Sequence, residues 1–117
     1  MEVIYISGPY RSKWGEWHVR QNIRKAENAA EFVWLNGGVA LCPHKNTAGF
    51  GGLPGCPDEV WIQGDLELLR RCDAVWMVDG WRDSNGARRE MELARQLGIP
   101  ILYSREAVVK FIENQRR

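Results

Sequence analysis

The segment Ser84-Asn85-Gly86-Ala87-Arg88-Arg89-Glu90 holds the residues best placed to do chemistry. A serine and a glycine open a helix there, and one carboxylate, Glu90, follows about two turns in. The first N–H groups of a helix have no partner inside it, so the Ser84/Gly86 turn offers donors to an anion. An anion cradle on the same helix as a lone carboxylate is the outline of an active site for a small charged molecule. Most helix glutamates are solvated surface groups, and Glu16 and Glu92 read that way. The small residues leading into Glu90 set it apart.

Three other segments carry candidate groups. Tyr5-Ile6-Ser7-Gly8-Pro9-Tyr10-Arg11 ends an apolar run with Gly8, which lets backbone approach a ligand, and with Arg11, whose forked guanidinium matches a carboxylate or phosphate. Asp65 follows Gly64, a residue that costs roughly 1 kcal/mol against alanine in a helix interior and marks a close contact or a ligand approach. His44 and Asn46 follow the second strand, at the sheet end where ligands bind, and read as substrate contacts. Trp14, Trp17 and Trp81 lie in or near loops at that end, where a flat ring can stack on a base. Trp34, Trp61 and Trp76 fall in regular elements and read as structural.

The elements that must position these groups follow from periodicity. Val3 to Ser7, Val39 to Cys42, Ala74 to Val78 and Ile99 to Tyr103 are short apolar runs bounded by turn residues, hence strands. Trp17 to Asn36 has apolar residues at helical spacing and stops at Gly37-Gly38. Asp58 caps a second helix through Leu69, with Val60, Trp61, Leu66 and Leu69 as its stripe. The Ser84 helix ends at Leu97-Gly98, and Ser104 caps a last one. Asp73, just ahead of the third strand, reads as a turn or capping residue. Pro43 to Pro57 is a glycine-rich connection of a length that signals a functional or a mobile segment. Strands alternating with helices predict one doubly wound α/β domain over 1–117, flavodoxin- or Rossmann-like. Its parallel sheet has four to five strands in order 2-1-3-4. Ligands then bind beyond the carboxyl ends of the strands.

Composition narrows the partners. A chain of 117 residues, 44% hydrophobic and 26% charged, suits a single globular domain. A net charge of +1 gives no electrostatic reason to expect a nucleic acid or an anionic membrane as partner. Cys42, Cys56 and Cys72 form neither a zinc pattern nor a disulfide framework, and no signal or membrane-spanning run is present, so the expected setting is cytoplasmic.

In order and spacing these segments resemble the nucleoside 2-deoxyribosyltransferase-like superfamily. In motifs they resemble most its 2′-deoxynucleoside 5′-monophosphate N-glycosidases and short bacterial and phage relatives of uncharacterised function. The motifs are Tyr5-x-x-Gly8-x-x-Arg11, Asp65-Leu66-Glu67-x-Leu69 with Cys72-Asp73-Ala74-Val75, and Ser84-x-Gly86-x-x-x-Glu90-x-x-x-Ala94. Pro9-Tyr10 departs from the glycosidase pattern, and Pro43 to Pro57 has no counterpart in either subgroup.

The resemblance implies a role for each matching position. Glu90 is the nucleophile at the anomeric carbon, Asp65 helps protonate the departing base, and Tyr5 orients Glu90. Gly8, Arg11, Ser84 and Gly86 hold a 5′-phosphate, the last two from a neighbouring subunit. A homodimer or an assembly of dimers is therefore implied, acting on a small-molecule nucleotide or nucleoside with no cofactor and no metal. The expected reaction is hydrolysis to free base and (deoxy)ribose 5-phosphate. The alternatives are deoxyribosyl transfer between bases, or nucleotide binding without turnover.

Overall fold

The computed structural model describes residues 1–46, 55 and 57–116. Its centre is strand β1 (Val3–Ser7), flanked on one side by β2 (Val39–Leu41) and on the other by β3 (Ala74–Met77), with β4 (Ile101–Leu102) beyond β3. All pairings are parallel, and the order is β2-β1-β3-β4. The expected topology is the observed one, with four strands. The register sets Tyr5 opposite Leu41 and Val75, and Ser7 opposite Met77.

Both ends of the β1–β3 pair are tied. At the start, the Val3 N–H donates to Asp73 Oδ2 at 2.8 Å while the Asp73 N–H donates to the Val3 carbonyl at 2.9 Å. At the exit, the Val78 N–H donates to the Ser7 carbonyl at 2.7 Å. A Cβ at Gly8 would lie 3.2 Å from the Val78 Cβ, so the close approach of the two strand exits favours glycine there.

Alternation along β1 gives each face its own layer. Ile4 and Ile6, both fully buried, pack with Ala26, Ala29 and Val33 of α1 (Glu16–Leu35) and with Val108 and Ile112 of α5 (Arg105–Gln115). Tyr5 points the other way. It joins Leu69 of α3 (Asp58–Arg70) and Ala87 and Ala94 of α4 (Asn85–Leu97). The buried residues of α1 are Asn22, Ala26, Ala29 and Val33, spaced four, three and four apart, as one face of a 3.6-residue helix demands.

Two helix starts match their sequence signals. Ser84 Oγ accepts from the Ala87 N–H, and Ser104 Oγ from the Ala107 N–H, both at 3.1 Å. Gly98 closes α4 in the left-handed conformation, φ 72°.

Several local expectations are corrected. Asp58 is the first residue of α3 instead of its cap. Pro57 holds the cap position with no side-chain bond, and the Asp58 carboxylate turns to Arg11. Val60 and Trp34 are 51% and 56% exposed, so neither serves the core as expected. The expected connection from Pro43 opens with a short helix, α2 (Pro43–Asn46); residues 47–54 and Cys56 lie outside the described residues.

Candidate active site

The second layer puts a carboxyl group against the central strand. Tyr5 and Ser7 stand two residues apart on β1 and therefore face the same way. Both are fully buried, and both reach Glu90 of α4: the Tyr5 hydroxyl donates to Oε2, and the Ser7 hydroxyl donates to Oε1 at 2.7 Å. α4 brings Glu90 there because Ala87 and Ala94, seven residues apart on its inner face, are small enough to seat the helix on the sheet.

Electrostatics follow from this enclosure. Glu90 is half-buried as a residue, but its carboxyl group is nearly enclosed, and burial pushes its pKa up to about 7. The hydrogen bonds from Tyr5 and Ser7 pull it back down, and the charge of Asp65 adds to the rise. Asp65, on α3, is half-buried and pushed up to about 6 by burial alone. Its charge bears on Tyr5 as well as on Glu90, so the three groups form one electrostatic unit. Burial, and then the charge of Glu90, hold the Tyr5 phenol far above its ordinary value, so it remains a proton donor to the carboxylate.

Two carboxyl groups raised toward neutrality, one within electrostatic reach of the other, are suited to acid–base or nucleophilic work. Among the described residues no cluster of three or more His, Cys, Asp or Glu side chains could hold a metal ion.

The remaining candidates take different positions. Arg11 is exposed and its guanidinium meets Asp58 Oδ1 at 2.5 Å, an ion pair open to solvent at the start of α3. Ser84 uses its hydroxyl to cap α4. Gly86 is exposed, and a Cβ there would meet only Ser84 Oγ, at 3.9 Å. Both lie on the helix that carries Glu90, with Ser84 about 9 Å from it along the axis.

His44 is buried, and its Nε2 lies 2.9 Å from the Pro9 carbonyl, with its ring edge-on to Tyr10 at 5.5 Å. Burial lowers its pKa, so the neutral ring donates from Nε2 and braces the turn after β1. Asn46 is exposed at the end of α2. A Cβ at Gly64 would meet none of the described residues within 4 Å, so packing against those residues does not explain that glycine.

Two residues of this region gave no signal as site residues in the sequence. Ser7 looks like any polar residue closing a strand; its position two beyond Tyr5 is the clue. Asn22 is buried on the apolar face of α1 and donates to the Tyr10 carbonyl at 3.1 Å, holding the turn from a second side. An asparagine inside a helical stripe of alanines and valine was the available sign.

Two hollows among the described residues lie elsewhere. One of about 650 Å³ runs along α5 beside Phe32 and Arg105, and another of about 480 Å³ sits by Trp76, Asp79 and Tyr103. Neither is lined by Tyr5, Asp65 or Glu90, so it is chemistry that selects the site.

Comparison with known families gives a match over residues 2–103 to the model described as Domain of unknown function (DUF4406). The chain belongs to that family. The match ends just before α5, so every element that touches Glu90 lies within it. No curated protein matches.

Among solved structures, the chain is similar to a 2-deoxyribosyltransferase from the psychrotolerant bacterium Bacillus psychrosaccharolyticus, described as a biocatalyst for the synthesis of antiviral and antitumoral nucleosides. Identity is 18%, the TM-score is 0.62, and the alignment covers 85% of this chain and 69% of that one. At that identity the likeness is one of fold, and it agrees with the deoxyribosyltransferase-like architecture expected from the motifs. That named enzyme is a transferase, and nothing in these matches singles out the N-glycosidases. No helix of the described residues is long and apolar enough to cross a membrane.

Proposed function

We propose that this DUF4406 protein cleaves the N-glycosidic bond of a (deoxy)nucleoside or its 5′-monophosphate, with Glu90 as nucleophile. The observation that carries the reading is the grip of Tyr5 and Ser7 on the enclosed Glu90 carboxyl, which also feels the charge of Asp65. A Glu90 oxygen forms a bond to C1′ as the bond from C1′ to the base nitrogen breaks. The electron pair leaves with the base, which takes a proton from Asp65. An acceptor, water or the N–H of a second base, then attacks C1′ as the C1′–Glu90 oxygen bond breaks; it gives its proton to the Asp65 carboxylate, and the Glu90 carboxylate is freed.

The acceptor divides two readings. Transfer of deoxyribose to a second base is favoured by the fold shared with a 2-deoxyribosyltransferase. Hydrolysis of a 5′-monophosphate by water is favoured by Arg11, which stands just past the β1 exit, and by the Ser84/Gly86 helix start. Phosphate would take Arg11 from its exposed partner Asp58 at little cost. In this reading the Ser84–Gly86 turn serves the site of a second copy of the chain, as dimeric relatives in the superfamily imply.

The test is a screen of nucleosides and nucleoside 5′-monophosphates, deoxy and ribo, for released base, with and without a second base supplied. A base-exchanged nucleoside identifies transfer; free base with a sugar phosphate identifies hydrolysis. The rate should peak between pH 6 and 7, where Glu90 gains its charge as Asp65 loses its proton. Release of base at an undiminished rate by Glu90→Ala would refute the reading.

A further inference from the structure

Nothing in the motif resemblance gives Ser7 a role, yet it makes half of the contact between the central strand and Glu90. Its hydroxyl lies 2.7 Å from Oε1 while Tyr5 occupies Oε2, so each carboxyl oxygen has its own donor. Both donors come from one face of β1, about 7 Å apart along the strand. Two donors on two oxygens fix the plane of a carboxylate as well as its position, which one donor alone cannot do.

Ser7 itself has no freedom. Its residue is fully buried, its carbonyl accepts from Val78, and it is in register with Met77. The fixed point is therefore the sheet and not a loop.

We infer that Ser7 is a positioning residue: with Tyr5 it forms a two-point clamp that orients the Glu90 carboxylate and keeps it ionised for attack. The inference rests on the proposed nucleophilic role of Glu90 for its kinetic consequence, but not for its effect on ionisation. The titratable groups facing Glu90 are Tyr5 from β1 and Asp65 from α3; Cys72, at the end of α3, bears on Tyr5. Of the contacts to Glu90, the two hydroxyls stabilise the charged form, whereas enclosure and Asp65 oppose it.

The hydroxyl also suits both states of the acid. When Glu90 is ionised, Ser7 donates to it; when Glu90 is protonated, the same oxygen has lone pairs to accept.

The experiment follows the Glu90 side-chain carboxyl carbon by NMR across pH in wild type, Ser7→Ala, Ser7→Cys and Ser7→Thr, beside thermal unfolding and kcat and KM on any substrate found. Removing one donor to a charged group should raise the Glu90 midpoint by about one pH unit in Ser7→Ala, with Ser7→Cys in between. Ser7→Thr, which restores the hydroxyl, should return the midpoint toward wild type. The acid limb of the rate profile should move the same way, with kcat falling about 10-fold to 100-fold and KM unchanged.

A Glu90 midpoint unmoved in a folded Ser7→Ala protein overturns the inference. So does a loss in KM alone. If the midpoint moves but wild type releases no base from any substrate, the clamp stands and the proposed function falls.

Discussion

The two faces of strand β1 do opposite things. Ile4 and Ile6 enter a dry layer of alanines, valines and isoleucine from α1 and α5, where each fully buried aliphatic side chain stabilises the fold by about 1.5–3 kcal/mol. Tyr5 and Ser7, one residue out of phase, face α3 and α4 and hold an acid whose pKa enclosure has raised to about 7. Burying a carboxyl group this way works against folding at neutral pH. Strict alternation lets one five-residue strand contribute stability on one side while the other side carries a group that lowers it.

Substitutions on the two faces should separate these effects. Ile6→Ala should destabilise the fold by about 2–5 kcal/mol through lost transfer energy and a cavity. Glu90→Gln should leave the fold intact and lower turnover by about 1000-fold or more. Chemical denaturation and base-release assays on both variants measure the contrast. A Glu90→Gln protein that unfolds as readily as Ile6→Ala would erase the distinction.

The pH dependence of stability sharpens it. The folded-state pKa of Glu90 lies above its ordinary 4.5, so between about 4.5 and 7 the native protein holds a proton that the unfolded chain has lost. Stability therefore falls as pH rises through this window, and the cost is fully present above about 7. The shift from 4.5 to about 7 corresponds to about 3 kcal/mol. Glu90→Gln should accordingly melt about 5 °C or more above wild type at pH 8 and near it at pH 5. A wild type as stable at pH 8 as at pH 5 would contradict the enclosed acid.

The smallest expected effect lies outside both faces. Arg11 and Asp58 form a solvent-open pair, so Arg11→Ala should change stability by no more than about 0.5 kcal/mol. If the guanidinium serves a phosphate, the same variant should weaken 5′-monophosphate binding about 10-fold and leave the nucleoside unaffected. Isothermal titration with a matched pair of ligands decides it; equal losses for both would remove phosphate from the picture.

Much of this was legible in the residues. The strands, their order and the serine caps of α4 and α5 rest on local rules of period and capping, and they appear in the places those rules give, with the last strand shortened to Ile101–Leu102. Asp73, expected as a turn or capping residue, instead spends its carboxylate on the Val3 N–H, 70 residues away. Distant partners do not follow from such rules. Asp58 looks like a cap, but a carboxylate 47 residues away from Arg11 in sequence is drawn off to it while Pro57 takes the cap position. His44 reads as a ligand contact because of its place after β2, yet its ring nitrogen is spent on the Pro9 carbonyl. Ser7 reads as filler since a hydroxyl at a strand end has many uses, and only the arrival of Glu90 from 83 residues away defines its own. Pattern locates elements; side chains that meet across the fold have to be seen.

The tie at the foot of β1, where Asp73 both gives to and receives from Val3, has a consequence for assembly. A polypeptide of alternating character can dock one notch off, and here that error would turn the molecule inside out, thrusting a phenol and a hydroxyl into oil and two isoleucines at an acid. The aspartate acts as a keying pin at the first rung: its two bonds fit only the native threading, and so favour the one alignment that delivers the reactive cargo to the correct side.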